Sequence, residues 1–220
     1  MRMHPTWTPI LALIFLLAAA PASAGVLYDN GPVNGTLDAF TINYGWTVTD
    51  SFGLSGASTV TGVDLAVWAY PGDTPESVDW AITTDPFGGS TFASGTASLA
   101  NSFLFTNEYG YDIDQESFSI SGVALGAGTY WLQLSNAATS EDHQLYWDDN
   151  NGLSTAWQAN PSYDIAPYNL VDYDGTAGTN SETFQILGTS GAVVPEPGSV
   201  LLLGSGMLLF AGLLRRKART

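Results

Sequence analysis

From Thr59 to Tyr70, apolar Val63, Leu65 and Val67 alternate with Asp64, Ala66 and Trp68. A period of two is the period of a half-buried β-strand. The alternation returns in Ser77 to Thr83, where Val78, Trp80 and Ile82 share one side. It returns again in Glu116 to Ser121 through Phe118 and Ile120, and in Thr129 to Ser135 through Tyr130, Leu132 and Leu134. Shorter strands are predicted at Val26 to Tyr28, Ala39 to Asn43, Trp46 to Phe52, Ser90 to Leu99, Phe103 to Tyr109, His143 to Trp147 and Glu182 to Gly188. Turn residues cut these runs, as in Asp29-Asn30-Gly31-Pro32, Pro71-Gly72-Asp73, Asp85 to Gly89 and Gly126-Ala127-Gly128. Residues 148 to 180 read as a long polar loop, and Gly62 marks a bulge or a close backbone approach inside the Thr59 to Tyr70 strand. No segment sustains a helical period. About nine to eleven short strands with frequent turns predict a single all-β ectodomain, a β-sandwich or jelly roll.

Charge narrows what such a domain can bind. The five basic residues are Arg2, Arg215, Arg216, Lys217 and Arg219, all near the ends of the chain. The stretch from Gly25 to Val194 holds 20 of the 21 acidic residues and neither Lys nor Arg. No Lys or Arg salt bridge can form within it, and repulsion disfavours nucleic acid and anionic lipid as partners. Its carboxylates must be solvated, protonated or met by external cations. Plentiful, patterned aromatic and branched residues argue against disorder. Cysteine is absent, so no disulfide contributes.

The two ends read as addresses. Arg2 and His4, the apolar run Ile10 to Ala20 and the small-x-small site Ala22-Ser23-Ala24 form a secretory signal peptide over 1–24, with Gly25 as the first mature residue and signal peptidase as the processing partner. The ectodomain spans 25–187, and 188–194 is a Gly/Ser linker. Residues 195–220 then have three parts: Pro195-Glu196-Pro197, an uncharged apolar run from Gly198 to Leu214, and a basic end of Arg215, Arg216, Lys217 and Arg219. The apolar run is at the short end of what spans a bilayer, and the basic end stays cytoplasmic. This order resembles the PEP-CTERM sorting signal of Gram-negative bacterial exoproteins. The resemblance implies an exosortase as processing partner, transient anchoring in the inner membrane, and delivery to the cell surface or extracellular matrix. Gly25-Val-Leu-Tyr-Asp-Asn-Gly and Gly128-Thr-Tyr-Trp-Leu-Gln-Leu also resemble β-sandwich ectodomains that precede such tails, and no functional residue is carried over from them.

Within the ectodomain, hard oxygen ligands are the chemistry at hand. Asp112, Asp114 and Glu116 stand at alternate positions, Asp172 and Asp174 precede Gly175, and Asp148-Asp149-Asn150-Asn151-Gly152 is an acidic turn. Calcium takes six to eight oxygens from such groups. Asp112, Asp114, Glu116, Asp172 and Asp174 are therefore the candidate calcium ligands, against the plainer reading of solvated acidic loops. Trp68 and Trp131 lie on the sides of their strands opposite the apolar set, and Trp147 and Trp157 flank an acidic loop. These four are the candidate platforms for an extracellular polysaccharide, against the plainer reading of core aromatics. Catalysis has thin support: His143 is the sole histidine of the mature stretch, and no Gly-x-Ser-x-Gly elbow is present. The expected function is a non-catalytic envelope or matrix protein that binds exopolysaccharide. The alternative is a secreted β-sandwich enzyme acting on glycans through paired carboxylates.

Overall fold

The computed structural model describes residues 24–170 and 180–191. Residues 1–23 of the expected signal peptide, the sorting tail, Asp172 and Asp174 lie outside those residues. The described part is all-β, with one short 3₁₀ turn at Pro161–Tyr163. Its strands are β1 (Gly25–Asp29), β2 (Ala39–Thr41), β3 (Thr47–Leu54), β4 (Ser58–Ala69), β5 (Pro75–Thr83), β6 (Thr91–Ser98) and β7 (Ala100–Thr106). They continue with β8 (Asp112–Leu125), β9 (Gly128–Thr139), β10 (Tyr146–Asn150), β11 (Ala156–Asn160), β12 (Ile165–Asn169), β13 (Ser181–Glu182) and β14 (Phe184–Ser190).

Two antiparallel sheets result. The six-stranded one runs β12-β11-β3-β9-β5-β6. The eight-stranded one runs β1-β14-β4-β10-β13, with β2 on β10, β8 on the opposite side of β4 from β14, and β7 outside β8. The alternation read in the sequence builds the ladders. Val63 stands between Phe118 and Ile186, and Leu65 is paired with Phe184. In the other sheet Leu134 is paired with Val48, and Leu132 with Ile82. These apolar rows form one buried cluster fed by both sheets, an arrangement consistent with a β-sandwich. Each large side chain in it contributes about 1.5–3 kcal/mol of burial.

Gly62 is where the β4–β8 register slips, as its position predicted. The opposite ladder slips beside Gly188, where a Cβ would lie 2.1 Å from the Thr59 carbonyl oxygen. Glycine is therefore required for the close approach of β14 to β4.

Three sequence readings change. Fourteen strands are described, more than the nine to eleven expected, because the stretch taken for a loop after residue 148 contains β11 and β12, and the strand expected at Glu182 to Gly188 divides into β13 and β14. The strand placed at His143 to Trp147 runs instead from Tyr146 to Asn150. Residues 140–143 are held in a turn by Asp73, which accepts from the Ser140 hydroxyl at 2.8 Å and the Glu141 amide at 2.9 Å. Last, Gly188 to Ser190, assigned to the linker, belong to β14, and Gly191 still donates its amide to the Ala57 carbonyl at 2.6 Å.

Candidate functional site

The strand register places Trp131 and Trp157 on one surface. Trp131 of β9 is paired with Ser51 of β3, and Gln133 with Thr49. Trp157 of β11 is also paired with Thr49. Paired residues share a face, as do residues two apart in a strand. Val48, Leu132 and Leu134 of these strands point into the core, so the two tryptophans, Thr49, Ser51 and Gln133 form the outer face of the six-stranded sheet. The indoles are half-buried and sit two strands and two residues apart, on the order of 12 Å. Gln133 donates to the Pro86 carbonyl at 2.7 Å, which folds the loop after β5 over one rim of this face. Thr49 lies beneath with its hydroxyl buried and without a hydrogen-bond partner among the described residues.

The other two candidate platforms are buried. Trp68 does face away from Val67, as the alternation implied. That side of the sheet is covered: Trp68 stacks on Tyr109 at 5.8 Å between ring centroids and gives its indole N–H to Asp148 Oδ1 at 2.7 Å. Asp148 also accepts from the amides of Asn34 and Gly35 and from the Thr183 hydroxyl, so it ties the segment after β1 across the sheet. Trp147 lies in the core, with its N–H on the Thr183 carbonyl at 2.9 Å and its ring edge-on to Phe184. Neither offers a face to a sugar.

The acidic triplet is a strand and not a loop. Asp112, Asp114 and Glu116 are spread along β8, where alternate residues stand roughly 6.5–7 Å apart. Asp112 accepts from the Thr106 hydroxyl, and Glu116 Oε1 accepts from Asn101 Nδ2, both at 2.8 Å. Among the described residues no three His, Asp or Glu side chains are gathered as a metal cage, so this triplet does not converge on an ion. Burial pushes the Glu116 carboxyl up to about 7, and Asp114 is raised by the same cause.

His143 Nδ1 lies 3.1 Å from Asp73 Oδ2. Ser140 gives its hydroxyl to the same carboxylate, so it is tied to the acid and not presented to the imidazole as a nucleophile would be. Burial would raise the Asp73 carboxyl, but hydrogen bonds from Thr139, Glu141, Ser140 and Thr74 outweigh it and hold the group near 2. This is the chemistry of a structural turn. A groove of roughly 700 Å³ lies elsewhere and is lined by small side chains such as Thr61, Thr96, Ser98, Ser117 and Ser119, with Asp64 as a carboxylate in its lining.

A polar knot was missed by the sequence reading. Asp50 of β3 is fully buried, and its Oδ2 accepts from Asn30 Nδ2 at 3.1 Å, the Ser154 hydroxyl at 2.7 Å and the Glu182 amide at 2.7 Å. Burial drives its carboxyl up to about 7 against these bonds. Asn30 was legible only as a turn residue, and Asp50 only as one polar position of a strand.

No curated protein matches the chain. A family model described as the PEP-CTERM protein-sorting motif matches residues 193–217 and leaves the folded domain uncovered. Pro195, Glu196, Pro197, the apolar run and Arg215 to Lys217 all fall inside that match. The chain carries a PEP-CTERM sorting motif, which implies an exported protein sorted by an exosortase through its C-terminus.

Proposed function

We propose that this is a non-catalytic protein of the Gram-negative envelope or biofilm matrix, released from its membrane anchor by exosortase, whose domain binds extracellular polysaccharide on the outer face of the six-stranded sheet. The observation that carries the binding reading is the shared face of Trp131 and Trp157, with Ser51 of β3 between their strands and Gln133 beside Trp131. Indole faces stack on the C–H side of sugar rings, and these hydroxyl and amide groups match sugar hydroxyls in hydrogen-bonding capacity. The domain's acidity suits a neutral or cation-bridged glycan better than a bare polyanion.

On a glycan array, the exported chain should bind a restricted set of polysaccharides. Trp131→Ala and Trp157→Ala should each weaken that binding at least about tenfold, since truncating an anchoring aromatic commonly costs more than ~1.4 kcal/mol. Unchanged binding in the double variant, at unchanged melting temperature, would remove this face from consideration.

The sorting half of the proposal has its own test. Glu196→Ala should leave the chain in the inner membrane with Arg215 to Thr220 still attached, whereas the wild-type extracellular form lacks them. Intact-mass analysis of the two fractions decides it. A released wild-type protein that retains the basic end is incompatible with exosortase processing.

A further inference from the structure

Glu182 lies on β13, directly opposite Asp149 of β10 in an antiparallel pair. Side chains of opposed residues project to the same face with Cβ atoms about 4.5–5.5 Å apart. Glu182 is wholly buried, and among the described residues neither of its carboxylate oxygens has a hydrogen-bond partner. Asp149 is also buried and accepts from the Ser181 amide at 3.1 Å through Oδ1. The charges of Asp50, Asp148 and Asp38 bear on Glu182 as well. Two of these are already occupied: Asp50 Oδ2 by three donors, and Asp148 by two amides, an indole and a hydroxyl. The open oxygens belong to Glu182.

No side chain of this domain can neutralise the pair. Lys and Arg are confined to positions 2 and 215–219, and His143 is engaged with Asp73. A proton on Glu182 would remove its charge but not its isolation. A single proton, even shared with a neighbouring carboxylate, would serve only one oxygen of Glu182 and one charge of the pair, and a buried polar oxygen left unpaired is unfavourable. A cation answers both needs at once. We propose that Glu182 and Asp149 hold one hard divalent cation, calcium by the chemistry of the donors, clamping β10 to β13 where the two sheets meet the segment after β1. Carboxylate oxygens select hard cations over zinc or copper. Two carboxylates fall short of a full calcium shell, so neutral oxygens complete it, as is usual for calcium.

The test uses the full chain in non-ionic detergent, stripped with chelator. Thermal unfolding is followed by tryptophan fluorescence in calcium, in magnesium, and in sodium chloride of equal ionic strength. Calcium near 100 times its Kd should raise the melting temperature by about 5–10 °C beyond sodium chloride, and magnesium should do less. Glu182→Gln and Asp149→Asn should each abolish the calcium-specific increment while keeping the response to sodium chloride. Equilibrium dialysis of the wild-type chain should give one calcium per chain at this affinity, which keeps the proposal testable if a variant fails to fold. Equal effects of calcium and sodium chloride on the wild type would overturn it. So would a calcium increment that survives both substitutions, because the ion would then sit elsewhere.

Discussion

Trp147→Ala should cost the folded domain about 3–5 kcal/mol, the range for removing a large buried aromatic side chain. Trp147 is fully buried in the shared core, edge-on to Phe184 with centroids 5.6 Å apart. Alanine would leave a cavity the size of an indole and strip the Thr183 carbonyl of its N–H donor at 2.9 Å. A domain of this size holds roughly 5–15 kcal/mol in all, so the variant sits near the edge of folding. Trp147→Phe should fall between, since it refills part of the volume but not the hydrogen bond. Trp131→Ala and Trp157→Ala should stay within about 1 kcal/mol, as partly exposed positions commonly do. Urea denaturation followed by far-ultraviolet circular dichroism ranks the variants. A Trp147→Ala protein as stable as Trp131→Ala would contradict the placement of these rings in the two faces.

The four candidate tryptophans, Trp68, Trp131, Trp147 and Trp157, show how far the sequence could be read. Alternation within β4 put Trp68 on the side away from Val67, and it is there. What covers that side comes from far along the chain: Tyr109, Asp148, and the amides of Asn34 and Gly35. No local pattern reports such a cover. Trp147 failed for a related reason. Asp148 to Asn150 have turn composition, yet they form a strand because partners elsewhere satisfy their side chains. Strands with apolar alternation were legible because their partners need only be apolar. Strands with polar side chains were not, because each needs a particular donor. The buried pair of Asp149 and Glu182 left one global trace in the sequence, the lack of any Lys or Arg to meet so many carboxylates.

Glu116→Gln should raise stability at pH 7.5 by about 1–3 kcal/mol and change it little at pH 4.5. Glu116 is wholly buried on β8, beside Leu65 of β4 and Asn101 of β7. Its Oε1 accepts from Asn101, and its Oε2 has no partner among the described residues. Burial raises the carboxyl from 4.5 to about 7, with the Asn101 bond opposing and the Asp114 charge adding. The sign follows from proton counting. Between those values the unfolded chain has lost the proton and the folded chain still holds it, so stability falls as pH rises. The contribution is fully present below about 4.5, is lost through about 7, and is flat above. The full displacement corresponds to roughly 3 kcal/mol, and relaxation of the site lowers what is measured. Glutamine keeps the acceptor for Asn101, removes the charge and erases that slope. Chemical denaturation of both proteins in chelator at pH 4.5, 6 and 7.5 gives the comparison. The domain-wide repulsion of about 20 carboxylates also grows with pH, but it is common to both proteins and cancels in their difference. Parallel curves for the two proteins, with no divergence above pH 4.5, would mean that Glu116 ionises as freely in the folded chain as in the unfolded one.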